Sequence, residues 1–150
     1  MDLKKMMDFR NSHNPFCQRL GIRVEELRPG YARAVKTVTE EDTNPVGVPH
    51  GGLYFTLADT ACGFAMATHG HVAVTIDASS HFMRSAKVGD CLTAEAHEIK
   101  SGKTICVYDT RISDQNATLL GTGTFTFFQM EQELEQLSPL FAKMPRRFRS

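Results

Sequence analysis

One apolar run constrains the fold more than any other feature of this chain. From Gly51 to His69 the pattern is helical, and Leu53, Leu57, Ala58, Ala61, Cys62, Ala65 and Met66 leave little of that helix polar. β-Branched residues enter it only as Thr56, Thr60 and Thr68. A helix apolar on nearly every side must be covered on nearly every side. The flanking segments supply the cover. "LGIRVEEL" (20–27) and "YARAVKTV" (31–38) are β-like about the turn "RPG", and four more candidates follow the helix: "VAVTIDASSHFM", "CLTAEAHEIK", "TICVYDTRIS" and "TLLGTGTFTFF". The last three are joined by the short turns "SGK" and "DQNA", which predicts antiparallel hairpins. The expected class is α+β, with one long central helix wrapped by a curved antiparallel β-sheet. A short helix is expected over 2–12, a loop over "TEEDTNPVGVP", and a terminal helix with a loose end after Phe128. The 150 residues read as a single domain, its core about 20–129 and a C-terminal extension over 130–150.

Charge and cysteine usage narrow the function classes. Seventeen basic side chains balance seventeen acidic ones, so no net field favours nucleic acid or an anionic membrane as partner. No apolar run reaches the roughly 20 residues that span a bilayer, and "MDLKKMMDFR" lacks the apolar core of a signal peptide. Cytoplasmic residence is the expectation. Cys17, Cys62, Cys91 and Cys106 show no CxxC spacing and read as free thiols, with Cys62, Cys91 and Cys106 in apolar or strand-like contexts.

Asp59 is the anomaly inside the helix. Thr56, Asp59, Thr60 and Gly63 fall on one narrow stripe, with no Lys or Arg three or four positions away from the acid. Either the carboxylate faces solvent or bonds a hydroxyl along that stripe, or it lines a semi-apolar cleft whose desolvation makes it a better base or nucleophile. The other end of the helix raises a matching question. Pro49-His50-Gly51-Gly52 leads into a first turn whose backbone N–H groups lack intrahelical partners. Gly-Gly either allows a sharp bend or lets a carbonyl oxygen approach an N–H, as in an oxyanion hole. Eight residues at ~1.5 Å each set Gly51 and Asp59 roughly 12 Å apart along the axis. One chain cannot apply both to one small carbonyl, so their cooperation requires two chains.

"NPVGVPHGG" followed by "FTLAD" resembles the hotdog-fold acyl-CoA thioesterases of the phenylacetate-degradation (PaaI-like) group, with Asn44 six residues before His50-Gly51-Gly52 and Asp59 nine residues after His50. The likeness runs from about Gly21 to Phe128, through "TIDASSHFMRSAKVGD" and "GKT". It implies a hotdog fold, dimers with continuous sheets that often pair into tetramers, and active sites at the dimer seam. By the same resemblance Asp59 is the base or nucleophile, the Gly51 N–H polarises the thioester oxygen, His50 and Asn44 orient the thioester and water, and Thr75 helps place the water. Gly52, Tyr54 and Phe82 would meet the substrate, and Arg84, Lys87 and Lys103 the coenzyme A phosphates. No cofactor is expected beyond the coenzyme A thioester substrate. Hydration or dehydration of an acyl thioester, or acyl-CoA binding without turnover, are the alternatives on such a fold.

Other constellations carry less. Tyr54, Phe55, Phe64, Phe82 and Met83 suit an apolar pocket or the core equally. "SGKT" lacks the first glycine of a P-loop and sits in a hairpin. His69, His71 and His81 have no further ligand at clear metal-binding spacing. Cys62 has no base near it in sequence, and Ser79 and Ser80 have no nucleophile elbow. "PRRFRS" reads as a basic tail end.

Overall fold

The computed structural model describes residues 1–134, apart from the side chain of Gln132. In chain order it contains α1 (Leu3–Ser12), α2 (Pro15–Leu20), β1 (Arg23–Arg28), β2 (Tyr31–Thr37), α3 (Gly51–Ala67), β3 (His71–Phe82), β4 (Cys91–Ser101), β5 (Ile105–Ser113) and β6 (Leu119–Glu133). The six strands form one antiparallel sheet in the order β1-β2-β4-β5-β6-β3. This is the hotdog architecture, with α3 at its centre.

The apolar pattern of α3 explains the wrapping. Ten of its residues are buried, including Leu57, Ala61, Cys62, Ala65 and Met66. Facing them, Ala32 pairs with Ala96 and Ala34 with Ala94 across β2 and β4, all four fully buried. Small side chains on both surfaces let helix and sheet approach closely, while Tyr108, Phe125 and Leu92 fill the wider part of the core.

Three features depart from the sequence reading. α2 was not expected, although its signals are local: Asn14 accepts from the Cys17 N–H, Pro15 opens the helix, and Gly21 closes it at φ 67°. β6 continues to Glu133, so residues 129–133 are strand where a terminal helix was expected; the rest of that tail lies outside the described residues. β3 provides the reason, since its first residue, His71, pairs with Glu133. All four cysteines are free, but Cys91 is only half-buried while Cys17, on α2, is buried.

The two sheet edges differ. On β1 the Asn11 side chain donates to the Val24 carbonyl (2.7 Å) and accepts from the Val24 N–H (2.9 Å), beside a bulge. β3 pairs only with β6, and its other edge carries exposed Val74 (49%) and Ile76 (55%) without a Lys or Pro to blunt it.

Candidate active site

The Asp59 carboxylate sits half-buried on α3 and looks into a cavity of about 390 Å³. Of the two readings left open by sequence, the structure combines parts of both. Thr75 on β3 donates to Asp59 Oδ1 at 2.7 Å, and the cavity lining is mixed, with Phe55, Phe64, Ala73 and Phe127 beside Asn14, Thr56 and Thr60. Burial pushes the Asp59 carboxyl above the ordinary aspartate range, and the Thr75 bond opposes that rise without cancelling it. No basic side chain pairs with Asp59 among the described residues. The neighbouring Cys62 thiol is pushed well up, by burial first and then by the charges of Asp59 and Asp109, which suits packing and not nucleophilic attack.

The start of α3 is organised to leave one donor unused. His50 caps the helix, its Nδ1 accepting from the Gly52 N–H at 2.8 Å, so the second Gly amide is already engaged. The Leu53 N–H bonds the His50 carbonyl (2.9 Å). Gly51 N–H has no partner among the described residues, and a Cβ at Gly51 would meet the Phe82 ring at 3.4 Å. Asn44 spends its Oδ1 on the Val46 and Val48 amides, shaping the loop that delivers His50. That loop is anchored by the His50 N–H bond to the Asp42 carbonyl (2.8 Å), with the Asp42 side chain held by Lys36 Nζ at 2.8 Å. Burial alone would raise the Asp42 carboxyl, but bonds from Lys36 and Thr39 hold it below its ordinary range.

Gly51 opens on a different cavity, of about 310 Å³, with Tyr54, Phe82, Met83 and Arg84. The five aromatic and methionine candidates therefore divide. Phe55 and Phe64 join Asp59, whereas Tyr54, Phe82 and Met83 join Gly51. Tyr54 also accepts the Ala86 N–H at its hydroxyl (2.9 Å), fixing the segment after β3. The proposed coenzyme A cations do not come together in one chain. Arg84 and Lys87 follow the Phe82 end of β3, but Lys103 is in the β4–β5 turn at the other end of the sheet, where Ser101 lies opposite Cys106 and Ile105 opposite Phe128. His69 pairs with Glu98, and among the described residues no group of three or more His, Cys, Asp or Glu side chains is placed to hold a metal.

Sequence reasoning missed one wall of the Asp59 cavity entirely. Arg10, Asn14, Phe16 and Cys17 reach it from α1 and α2, residues placed outside the expected core. The "NP" cap signal at Asn14 was the only local hint.

Residues 46–120 match the family model described as the thioesterase superfamily. The chain is 37% identical over 112 residues to the Escherichia coli acyl-coenzyme A thioesterase PaaI, spanning 71% of this chain and 80% of that one. The solved E. coli PaaI structure superposes with a TM-score of 0.84 at 28% identity, covering 87% of this chain and 95% of that one. A hypothetical thioesterase from Streptococcus pneumoniae solved with coenzyme A gives a TM-score of 0.72 at 30% identity, over 75% and 88% of the two chains. That protein has also been solved with alanine for an aspartate at its position 52 and for a threonine at its position 68, the same separation of sixteen as Asp59 and Thr75. With half of its length matched by the family model and a relative aligned over four fifths of its own length, this chain belongs to the thioesterase superfamily.

Proposed function

We propose that this protein hydrolyses acyl-CoA thioesters to the free acid and coenzyme A, in a site made by two chains. One observation carries the reading: a partly buried Asp59 with no ion-pair partner and a Gly51 N–H with no hydrogen-bond partner among the described residues belong to one helix yet open on separate cavities. In a dimer, Asp59 of one protomer acts on the thioester carbon while Gly51 N–H of the other receives the carbonyl oxygen as it gains charge. Asp59 either attacks directly, giving an anhydride that water opens, or takes a proton from an attacking water; both release the thiol of coenzyme A. Thr75 holds the carboxylate, and His50 and Asn44 hold the amide end in place.

The open β3 edge supports this arrangement. Antiparallel pairing of two β3 strands about a two-fold near Ala78 and Ser79 would set Thr75 opposite Phe82 of the partner subunit. The Asp59 cavity of one chain then meets the Gly51 cavity of the other, and Lys103 approaches the Arg84 and Lys87 end across the seam. The coenzyme A bound by the pneumococcal relative supports the nucleotide half of the substrate. The E. coli relative's name supports the acyl thioester half.

The test is thiol release from a panel of aryl and medium-chain acyl-CoAs. Asp59→Asn is expected to lose about a hundredfold or more in kcat/KM. Equal, slow release by wild type and variant across the panel would reject hydrolysis, and tight binding without turnover would favour a binding module. Formation of hydrated product from an enoyl-CoA would favour the hydratase chemistry.

A further inference from the structure

Arg10 is the charged group in the Asp59 cavity that the hydrolytic reading leaves without a task. It comes from the last turn of α1, its Nη1 donates to the Gly63 carbonyl at 3.3 Å, and its guanidinium lies 4.4 Å from the centroid of the Phe64 ring. Those two contacts use one N–H and one face of a group with five N–H donors. No Asp or Glu among the described residues pairs with it. Desolvation pulls its pKa down to about 10, so it stays charged at neutral pH and is short of a counter-charge.

Position decides what that charge can meet. Gly63 is one turn beyond Asp59 on the same stripe, about 6 Å along the axis. Arg10 and Asp59 line the same cavity, together with Phe55, Phe64 and Phe127. An acyl group whose thioester carbon rests against Asp59 would point its far end at the guanidinium. A half-buried Arg fork with no acidic partner among the described residues is best matched by a carboxylate, which it binds through two parallel hydrogen bonds.

We propose that Arg10 is a specificity-determining residue that binds a carboxylate at the distal end of the acyl group, so that the preferred substrates are CoA thioesters of short dicarboxylic acids. This rests on the thioesterase reading above. The distance of about one helical turn suits an acyl chain of roughly four or five carbons. The Phe55, Phe64 and Phe127 rings can take its methylenes, and the cavity of about 390 Å³ has room for such a group.

The full-length protein would be assayed with glutaryl-CoA and succinyl-CoA against the neutral pentanoyl-CoA and butanoyl-CoA, comparing wild type, Arg10→Met and Arg10→Lys. Wild type is expected to favour the charged member of each pair by about tenfold to a hundredfold in kcat/KM, the range of a charge-assisted hydrogen bond. Arg10→Met should lower that ratio by tenfold or more, and Arg10→Lys should restore part of it. Preference of wild type for the neutral thioesters would overturn the proposal, as would an equal loss on both members of a pair in Arg10→Met, which is what a purely structural arginine predicts. If Arg10→Met does not fold, the wild-type ranking alone decides. Were hydrolysis itself absent, calorimetric binding of glutaryl-CoA against pentanoyl-CoA would read the same selectivity, so the two proposals fail separately.

Discussion

Replacing Thr75 with valine isolates the one hydrogen bond that the described residues give the Asp59 carboxylate. The substitution keeps a β-branched shape suited to a strand and removes only the hydroxyl. The bond is 2.7 Å long and its acceptor is charged when Asp59 is ionised. Such bonds contribute about 1.5–3 kcal/mol, and the partial solvent access of Asp59 favours the low end. At about 1.4 kcal/mol per unit, the Asp59 pKa should rise by roughly one unit. The sign follows from which form is stabilised. Thr75 donates to the carboxylate, so its loss favours the protonated acid, and Asp59 must reach higher pH before it can act as base or nucleophile. The acid limb of log kcat/KM against pH should therefore move up by about one unit in Thr75→Val. The plateau above that limb reports separately on any part Thr75 plays in placing water. If the acid limb of the variant coincides with that of wild type, Thr75 does not stabilise the reactive carboxylate, and Asp59 is not the group whose ionisation controls the rate.

Asp59→Asn should be at least as stable as wild type at pH 7 in denaturant unfolding. A carboxyl whose folded pKa is raised costs stability once ionised, so the advantage of the amide should disappear as pH falls below the ordinary aspartate range, where both folded and unfolded acids are protonated. Lys36→Met should lower the unfolding free energy by about 3–5 kcal/mol, because it strands the Asp42 carboxylate, whose side chain like that of Lys36 is 5% exposed. The same variant should lose activity through the loop that carries His50. Ile76→Lys places a charge on the open β3 edge, and sedimentation should show dissociation with activity falling in parallel. Full activity in a monomeric Ile76→Lys protein would refute the two-chain site.

The parts of this molecule legible in sequence are those whose causes are local or periodic. The composition of Gly51–Ala67 demands a wrapped helix, and the interval from Gly51 to Asp59 keeps those two groups of one chain from sharing one small carbonyl because helical rise is fixed. β6 overran its expected end because pairing with β3, far away in sequence, decides where it stops. Arg10 went unnoticed for the same reason. Its contact with Gly63 spans 53 positions, and nothing near Arg10 in the chain marks it as facing a cavity. Asn44 was legible as important, but its Oδ1 proves to be bonded to its own loop, a role that its spacing from His50 does not distinguish from contact with substrate. Within one chain the hairpins set Lys103 at the opposite end of the sheet from Arg84 and Lys87, a separation that its place in the sequence does not mark.

The unequal treatment of the two sheet margins limits how far such molecules can concatenate. Asn11 occupies the main-chain groups of Val24 on one border, while β3 presents a bare border on the other. Two copies joining bare border to bare border leave only sealed borders facing outward. In such a dimer a third copy would meet β1, where Asn11 already occupies the Val24 groups, so the asymmetry that favours a partner at β3 would disfavour further growth of the ribbon.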